Sequence, residues 1–335
     1  MPSLRPVTGT AEEILALLRE WDAADEPDPL VIATSGSTGQ PKRVVLSRRA
    51  MRASALATQT RLGGPGQWVL NLPPTYVAGV QVLYRSVVAG TVPVVTNDVV
   101  AAREQVTGRS YLSLVPTQVH RRLGDPAAVA ALADFDAVLV GGGPLGPDTR
   151  RRAEEAGIAV VQTYGMSETC GGCVYDGRPL DGVGVRIDDG EVLLRGPVLF
   201  DGYEDEPERT AAVLRDGWLR TDDLGLLDPD GRLRITGRTD DMIISGGVKV
   251  PAPTVADRLR ALASLREAEV LGVPDEEWGE RVVAFVVGEA GLDELREHVA
   301  AELPREWAPR QVVEVAGIPL LSNGKVDRMM LRSLA

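Results

Sequence analysis

The chain uses arginine almost everywhere that it needs a cation, and its three lysines are the exceptions. Lys42, Lys249 and Lys325 are the only lysines among 36 basic residues, and each lies in or beside a short glycine-bearing segment. An ammonium on a flexible stem can place a point charge on a phosphate oxygen, which a planar guanidinium does less readily. The three lysines are therefore the first candidates for chemistry, unless they are chance survivors of an arginine-biased composition.

The segment that ends at Lys42 carries groups that suit a polyphosphate. It reads Thr-Ser-Gly-Ser-Thr-Gly-Gln-Pro-Lys and follows the apolar run 29–33. Hydroxyls, backbone N–H groups and an ammonium all bind phosphate oxygens. The segment is not a Walker A loop, because Gly-x-x-x-x-Gly-Lys-Ser/Thr is absent, and the alternative is a mobile surface loop. The residues predicted to bind phosphate are Thr34, Ser35, Gly36, Ser37, Thr38, Gly39 and Lys42.

The elements that must position this loop alternate between strand-like and helix-like segments from about residue 29 to 165. Residues 47–62 and 77–89 have the composition of helices, and Ser47 is a suitable N-cap. Alternating strands and helices predict an α/β fold with a largely parallel sheet. Glycine-rich segments at 34–39, 141–143 and 165 each follow a strand. Because ligands bind at the carboxyl ends of such strands, these segments are expected to meet at one edge.

The pattern changes after about residue 180. Residues 180–237 contain short strands separated by Asp-Gly pairs, which predicts a β-rich subdomain. The last 95 or so residues have an α+β pattern with helices at 254–264 and 291–302, a hairpin of 267–273 with 281–287, and a strand at 311–315. We therefore predict a large N-terminal domain over 1–239 and a smaller C-terminal domain over 240–335, with the boundary near Asp240.

Composition excludes several classes of function. The net charge of −12 disfavours nucleic acid as a partner. No apolar run reaches the ~18 residues of a membrane span, and the first residues lack the apolar core of a signal peptide. We therefore expect a cytoplasmic protein that acts on small molecules, with homo-oligomerisation as an open option.

The two cysteines, Cys170 and Cys173, have the CxxC spacing of a redox pair or of half a zinc site. A structural zinc site needs four ligands, and the chain has no second cysteine pair. The interpretation we prefer is that two small side chains pack beside a tight loop.

The loop at 34–42 resembles the phosphate loop of the adenylate-forming enzymes, a family of acyl-CoA synthetases, luciferases and peptide-synthetase adenylation domains. Other motifs follow in the family's order. Residues 72–79 resemble its acyl-pocket gate, 164–168 its adenine and Mg²⁺ segment, and 217–223 its ribose segment. Residues 237–247 resemble its hinge and the following loop, and 319–325 its adenylation-lysine segment. The resemblance covers about residues 30–335.

The resemblance implies a role for each matching residue. Lys325 and Glu168 are the catalytic residues, and Ser167 and Glu168 face Mg²⁺. The adenine and ribose residues are Gly141, Gly142, Gly143, Tyr164, Gly165, Met166, Asp223 and Arg238. The acyl-pocket candidates are Tyr76, Gly79 and Thr117. The candidates on the coenzyme A side are Gly246, Gly247 and Lys249, and the hinge of a mobile C-terminal domain is Asp240. Lys249 is equally an ordinary surface lysine, and Arg238 is alternatively a structural turn arginine.

The chain departs from the family pattern in four ways. Tyr76 stands where many members have histidine, Asp222 replaces the usual glycine, and the acidic Glu-x-Glu pair expected after Gly247 is missing. The region before the phosphate loop is also shorter than in full-length relatives, so the chain resembles a compact member of the family.

Within this family, the chain most resembles the o-succinylbenzoate–CoA ligases of menaquinone biosynthesis. The resemblance rests on the compact length of the chain and on the segments 113–120 and 164–169. The resemblance implies ATP, Mg²⁺ and coenzyme A as reactants, and an acyl-adenylate intermediate. The alternatives are another carboxylate–CoA ligase, a stand-alone adenylation domain that loads a carrier protein, or a non-catalytic adenylate-binding regulatory module.

Overall fold

The computed structural model describes residues 5–34, 42–321 and 326–335. The chain forms two compact units, one of Met1–Arg186, Leu193–Thr221 and Leu227–Leu233, and one of Ile187–Val192, Asp222–Leu226 and Arg234–Ala335. The mixed α/β class expected from the alternating pattern is confirmed. A domain boundary near Asp240 remains a prediction.

The helices and strands before residue 183 lie on both sides of the phosphate loop in the sequence. In chain order they are β1 Arg5–Pro6, α1 Ala11–Ala23, β2 Leu30–Ala33, β3 Arg43–Leu46, α2 Arg48–Arg61, β4 Gln67–Leu70, α3 Val77–Ala89, β5 Val94–Val95, α4 Val99–Gln105, β6 Ser110–Leu114, α5 Pro116–Arg122, α6 Pro126–Ala133, β7 Ala137–Val140, α7 Pro147–Glu155, β8 Val160–Met166, β9 Gly171–Tyr175 and β10 Arg178–Pro179.

Seven of these strands form one sheet in the order β10-β9-β8-β7-β6-β4-β5. The neighbours from β8 to β5 are parallel, and β9 runs antiparallel to β8. All four residues of β7 are apolar and buried, as expected for a central strand covered on both faces. The predicted helices at 47–62 and 77–89 are confirmed as α2 and α3, and the Ser47 side chain accepts a hydrogen bond from the backbone of Ala50.

The elements after residue 183 begin with several short strands. The later ones, from β17 onward, form the core of the second unit. In chain order they are β11 Gly184–Asp188, β12 Glu191–Arg195, β13 Gly202–Tyr203, α8 Pro207–Val213, β14 Leu214–Arg215, β15 Trp218–Leu227, β16 Leu233–Arg238, β17 Met242–Ser245, β18 Val248–Pro251, α9 Ala252–Arg260, β19 Leu265–Asp275, β20 Gly279–Gly288, α10 Leu292–Ala300, β21 Gln311–Glu314 and α11 Arg328–Arg332. Short 3₁₀ helices cover Ser167–Thr169, Thr239–Asp241 and Arg305–Trp307.

Several Asp-Gly pairs of the β-rich stretch make the turns that the sequence predicts. Asp189 and Gly190 have φ values of 48° and 83°, and Asp216 and Gly217 have 51° and 74°. Two consecutive residues with positive φ match the twist of the flanking strands, and aspartate and glycine adopt that conformation at low cost.

The second unit is built on a sheet of order β18-β17-β20-β19, with β21 beside β20. The predicted hairpin is confirmed, since Glu267 pairs with Val287 and Val273 with Arg281. Apolar side chains of α9 and α10 pack on this sheet, and Leu331 of α11 lies with Val283 and Phe285 in a second cluster. Among the described residues, no helix has the length and apolar character needed to cross a membrane.

Candidate active site

The ends of the predicted phosphate loop are tied to each other. The Thr34 amide donates to the Lys42 carbonyl at 2.8 Å, and the Lys42 amide donates to the Thr34 hydroxyl at 3.2 Å. Because β2 and β3 are antiparallel neighbours, these bonds close the base of the loop between them. The other predicted phosphate residues, Ser35, Gly36, Ser37, Thr38 and Gly39, lie outside the described residues.

The Lys42 side chain extends toward the predicted Mg²⁺ residue. Its ammonium is 3.8 Å from Oε1 of Glu168, a buried carboxylate in the 3₁₀ helix Ser167–Thr169. The same oxygen accepts a hydrogen bond from the Tyr203 hydroxyl at 2.7 Å. The ammonium also lies 5.5 Å from the centre of the Tyr203 ring. The structure thus brings two predicted residues together and adds a tyrosine that sequence reasoning missed.

Tyr203 reaches this position through strand pairing. It lies on β13, which is antiparallel to β3, so that Tyr203 pairs with Val44, two residues after Lys42. Beyond it, Glu204 forms an ion pair with Arg43, and the Tyr203 amide donates to Thr210 at 2.9 Å. No local pattern around Tyr203 marks it as functional, because its partners are far away in sequence.

The glycines at the carboxyl ends of β7 and β8 are sites of close packing. A Cβ on Gly141 would lie 2.4 Å from the Thr163 hydroxyl, and one on Gly165 would lie 2.1 Å from the Gly171 carbonyl oxygen. Tyr164, Gly165 and Met166 are the last three residues of strand β8, directly before Ser167 and Glu168. The structure therefore places the predicted adenine segment next to the Glu168 carboxylate, at the strand edge that the sequence indicates.

The acyl-pocket candidates lie at two neighbouring strand ends. Tyr76 is the N-cap of α3, and a Cβ on Gly79 would lie 2.1 Å from the Pro73 carbonyl oxygen, so the helix packs directly on the gate segment. Thr117 lies in the first turn of α5. The next residue, Gln118, donates to the side chain of Asn71 at 2.9 Å. This bond ties the start of α5 to the strand end before the gate.

Arg85 is a second residue that sequence reasoning missed. It is on α3, is only 6% exposed, and donates from Nη2 to the Tyr175 hydroxyl at 3.3 Å. Its guanidinium also lies 5.0 Å from the centre of the Trp68 ring. Its Nε has no hydrogen-bond partner, and within the described part of the chain no carboxylate forms an ion pair with it. The signal in the sequence is a single charged residue in a mostly apolar helix.

Gln81 lies one turn before Arg85 on the same face of α3. It is 1% exposed, and its Oε1 has no hydrogen-bond partner. Tyr175, the partner of Arg85, pairs across β8 and β9 with Thr163, the neighbour of Tyr164. The polar face of α3 therefore contacts β9, the neighbour of the strand that carries the predicted adenine segment. Arg85 Nε and Gln81 Oε1 have no hydrogen-bond partner among the described residues.

In the second unit, the structure brings the predicted ribose aspartate and the predicted nucleotide arginine together. Arg238 donates from Nη1 to Oδ1 of Asp223 at 2.7 Å, and its Nη2 is 3.6 Å from Asp222. The side chain of Asp223 is 8% exposed. Asp222, which replaces the usual glycine, therefore adds a second carboxylate beside Arg238.

The candidates on the coenzyme A side form a tight hairpin in the second unit. Gly246 and Gly247 connect β17 to β18 with φ values of 58° and 80°, and a Cβ on Gly246 would lie 2.7 Å from the Trp278 ring. Lys249 is exposed on β18. Asp240 lies within the 3₁₀ helix Thr239–Asp241. Lys325 lies outside the described residues.

The two cysteines are buried and not bonded to each other. Burial raises the pKa of the Cys173 thiol to about 12, and burial also raises the pKa of Cys170. Cys170 has a φ of 52°, which fits the tight loop expected at this position.

Two family models match the chain. The model described as AMP-binding enzyme matches residues 11–204, and the model described as AMP-binding enzyme C-terminal domain matches residues 255–325. The chain belongs to the AMP-binding enzyme family.

Relatives within this family include the probable 2-succinylbenzoate–CoA ligase of Mycobacterium tuberculosis, which is 44% identical over 98% of this AMP-binding enzyme and 90% of the relative. The 2-succinylbenzoate–CoA ligase of Enterococcus faecalis is 31% identical over 89% of this chain and 68% of the relative. The o-succinylbenzoate CoA synthetase of Bacillus subtilis, solved with the acyl-adenylate intermediate, has a TM-score of 0.79 and 28% identity, and the match covers 90% of this chain and 68% of that one. The same Bacillus enzyme has also been solved with ATP and magnesium.

Proposed function

We propose that this AMP-binding enzyme joins o-succinylbenzoate to coenzyme A in two steps, with ATP as the activating reactant. The observation that carries the proposal is 44% identity, over 98% of this chain, to the M. tuberculosis relative of that name. In the first step the acid's carboxylate attacks the α-phosphorus of ATP, forming the acyl-adenylate and releasing pyrophosphate. In the second step the coenzyme A thiolate attacks the acyl carbon, and AMP leaves.

The first step requires charge stabilisation more than covalent chemistry, because negative charge accumulates on phosphate oxygens. Lys42 and Thr34, at the base of the phosphate loop, are proposed to hold the β- and γ-phosphates together with residues 35–39. The Tyr164 ring is proposed to stack on adenine. Asp223 is proposed to accept hydrogen bonds from the ribose hydroxyls, with Arg238 holding its carboxylate in place at 2.7 Å.

Glu168 fits the demands of Mg²⁺. This ion is usually held by one or two carboxylates together with substrate phosphates and water. Glu168 supplies one buried carboxylate. Its Oε1 accepts the hydrogen bond from Tyr203 and lies near the Lys42 ammonium. No group of three or more metal-binding side chains occurs among the described residues, which suits an ion that shares its ligands with ATP. Mg²⁺ would neutralise phosphate charge, and Ser167 is a further candidate ligand.

The remaining predicted residues are assigned by the order of the two steps. Lys325 is proposed to bridge the substrate carboxylate and the α-phosphate during adenylation. A rotation at Asp240 is then proposed to replace Lys325 with the hairpin of Gly246 and Gly247, with Lys249 as a candidate contact for a coenzyme A phosphate. Residence in the cytoplasm and homo-oligomerisation also remain predictions.

Arg85 supports a dicarboxylic substrate. A buried guanidinium without a counter-charge is costly, and a ligand carboxylate offsets that cost. Gln81 adds a second polar group on the same helix face. We therefore propose that Arg85 pairs with the carboxylate of o-succinylbenzoate that does not react, and that Tyr76, Gly79 and Thr117 shape the pocket around the rest of the acid.

The test compares o-succinylbenzoate with a monocarboxylate of matching shape, with and without coenzyme A. We expect pyrophosphate release and thioester formation with the diacid, and a kcat/KM for the monoacid lower by roughly 10⁴-fold, because a site built for a polar group rejects an analogue that lacks it. A monoacid within about tenfold of the diacid would indicate a general carboxylate–CoA ligase. Transfer of the acyl group to a carrier-protein thiol but not to coenzyme A, with release of AMP, would indicate an adenylation domain. Absence of pyrophosphate release with every acid tested would indicate a regulatory module.

A further inference from the structure

The carboxyl ends of β4, β5 and β6 are connected through one buried side chain, that of Asn71. Asn71 directly follows β4 and is 3% exposed. Its Nδ2 donates to the carbonyl of Thr96, the residue after β5, at 2.9 Å. Its Oδ1 accepts from Nε2 of Gln118 at 2.9 Å and from Nη2 of Arg122 at 3.1 Å, both on α5. The amide therefore connects β4 to the chain that leaves β5 and to the chain that leaves β6.

Gln118 and Arg122 complete the same network. Gln118 accepts from the Val115 amide at 3.0 Å through Oε1, and its Nε2 also donates to the Asn71 carbonyl at 3.2 Å. Arg122 donates to the carbonyls of Gln118 and Asn97, at 3.2 Å each. The side-chain nitrogen and oxygen of both Asn71 and Gln118 thus have partners. A polar network in which every member is satisfied holds its members rigidly.

Between β4 and β6, the network continues past the last backbone pair. That pair is Val69 with Leu112, two residues before Asn71 on one side and six before Gln118 on the other. The backbone pairing fixes the strands themselves. The side chains of Asn71 and Gln118 act on the residues that leave the sheet at its carboxyl edge, where ligands bind in folds of this kind.

The residues that leave the sheet here belong to the proposed acyl pocket. The gate segment 72–79 begins directly after Asn71, and Thr117 directly precedes Gln118. Thr117 is exposed, whereas Asn71 is buried. The bond between Asn71 and Gln118 therefore joins the residue before the gate to the residue after Thr117, and it lies behind both parts of the pocket.

We propose that Asn71 and Gln118 are positioning residues for the acid: their hydrogen bond holds the gate segment and Thr117 at the separation that the acid requires. The proposal rests on the function proposed above, because it takes the acyl pocket from there. Neither residue needs to contact the acid or ATP. A misplacement of about 1 Å can cost on the order of 10²-fold in rate, so loss of this bond should impair use of the acid and leave the binding of ATP unchanged.

A second amide on the same strand provides a matched control. Gln67, the first residue of β4, donates from Nε2 to the Val92 carbonyl at 2.9 Å and accepts from the Thr107 amide at 2.9 Å. It connects the amino end of β4 to the chain before β5 and to the chain before β6. Gln67→Met therefore removes the same kind of bonds from the same strands, at the end that lies away from the proposed pocket.

The test measures pyrophosphate release by the full chain in the presence of coenzyme A, with the acid and ATP varied separately. Asn71→Ala and Gln118→Met should each lower kcat/KM for o-succinylbenzoate by about 10- to 100-fold and leave the KM for ATP within about threefold of wild type. The double variant should lose less than the product of the two single losses, because both remove one shared hydrogen bond. Gln67→Met should leave both constants within about threefold of wild type.

Circular dichroism verifies that each variant is folded at the assay temperature. Should Asn71→Ala not fold, Gln118→Met decides the question, since methionine keeps the length of the half-buried side chain and removes its hydrogen bonds.

Three results would overturn the proposal: a kcat/KM for the acid within about threefold of wild type in the folded variants, a KM for ATP that rises as much as kcat/KM for the acid falls, or the same acid-specific loss in Gln67→Met. Failure of the substrate proposal is visible in the wild-type protein, as pyrophosphate release with another acid but not with o-succinylbenzoate. The same series on that acid then tests Asn71 and Gln118. Wild-type protein that releases pyrophosphate with no acid would overturn both the function and the positioning role.

Discussion

Arg85 in the first unit is buried and Arg328 in the second is partly buried, and their surroundings differ. Arg328 contacts the carboxylate of Asp241 and lies 4.0 Å from that of Glu269. Arg85 has a tyrosine hydroxyl and a tryptophan ring as neighbours, and no carboxylate within the described residues pairs with it. The free energy of burying a guanidinium depends on its counter-charge. An arginine whose counter-charge belongs to the chain serves the fold, and one without it is suited to a ligand.

The same distinction applies to the acids. Asp241 is paired with an arginine, whereas Glu168 accepts one tyrosine hydroxyl and has the ammonium of Lys42 at 3.8 Å. At that distance the ammonium contributes charge without occupying the carboxylate as a bidentate arginine does. Glu168 can therefore exchange its neighbours when a metal–nucleotide complex binds, which a carboxylate held by arginine does less easily.

The strongest test of the comparison is substitution of the arginine that lacks a counter-charge. Arg85→Met should lower kcat/KM for o-succinylbenzoate by roughly 10⁴-fold, since a buried ligand carboxylate would lose its partner. The monocarboxylate of matching shape should change by less than about tenfold. Arg328→Gln is the control, and it should leave the ratio between the two acids unchanged. Equal losses for both acids in Arg85→Met would show that Arg85 serves the fold.

For the free energy of unfolding we expect the opposite order, with a larger loss for Arg328→Gln than for Arg85→Met. Arg328→Gln leaves Asp241 buried without its cation and should lower the free energy of unfolding by about 3 kcal/mol. Arg85→Met removes a buried cation that has no acidic partner, and its effect should be within about 1 kcal/mol of zero. Urea denaturation followed by tryptophan fluorescence measures both. A larger loss for Arg85→Met than for Arg328→Gln would contradict the comparison.

Lys325→Ala tests the residue that is proposed to bridge the substrate carboxylate and the α-phosphate. Loss of one charge-stabilising donor in a transition state costs ~2.7–4 kcal/mol, which is ~10²–10³-fold in rate. We expect that loss in pyrophosphate release, while thioester formation from preformed acyl-adenylate is largely retained. Rapid-quench measurement of the two steps distinguishes them, and the second step is the internal control. Equal loss in both steps would exclude a role confined to adenylation.

The smallest expected effect is on the pH dependence of stability, and it comes from the two buried thiols of Cys170 and Cys173. Neither thiol has a counter-charge or a proposed ligand. Burial raises the pKa of both, so the unfolded chain ionises first and stability is lost as pH rises above the ordinary thiol pKa of ~8.5. The double variant Cys170→Ala, Cys173→Ala should lose less stability between pH 8 and pH 10, roughly the thiol titration range. A thiol reagent at pH 8 should modify neither cysteine in the native chain and both in denaturant. Rapid modification of the native protein would indicate a reactive pair.

The sequence alone was sufficient for the α/β class, for helices such as α2 and α3, and for the hairpin formed by β19 and β20. These features follow from periodicity, capping residues and turn residues, which act over a few positions and are visible in the order of residues. It also predicted that the glycine-rich segments 141–143 and 165 lie at one edge, because the parallel neighbours β7 and β8 place their carboxyl ends together. The segment 34–39 follows β2, which belongs to a separate four-stranded sheet, β1-β2-β3-β13, so the argument from parallel strands does not hold for it. Residues 35–41 and 322–325 lie outside the described residues, so their assignments remain predictions.

Only the tertiary structure decided which charges have partners. Tyr203 reaches Glu168 across 35 residues, Arg85 reaches Tyr175 across 90, and Arg328 reaches Asp241 across 87. Each contact depends on how strands and helices pack, and no local pattern encodes it. In the sequence Arg85 and Arg328 are two of many arginines. They differ because the fold places Arg328 near two carboxylates, whereas no carboxylate of the described residues pairs with Arg85, and the free energy of a charge removed from water is set by what surrounds it.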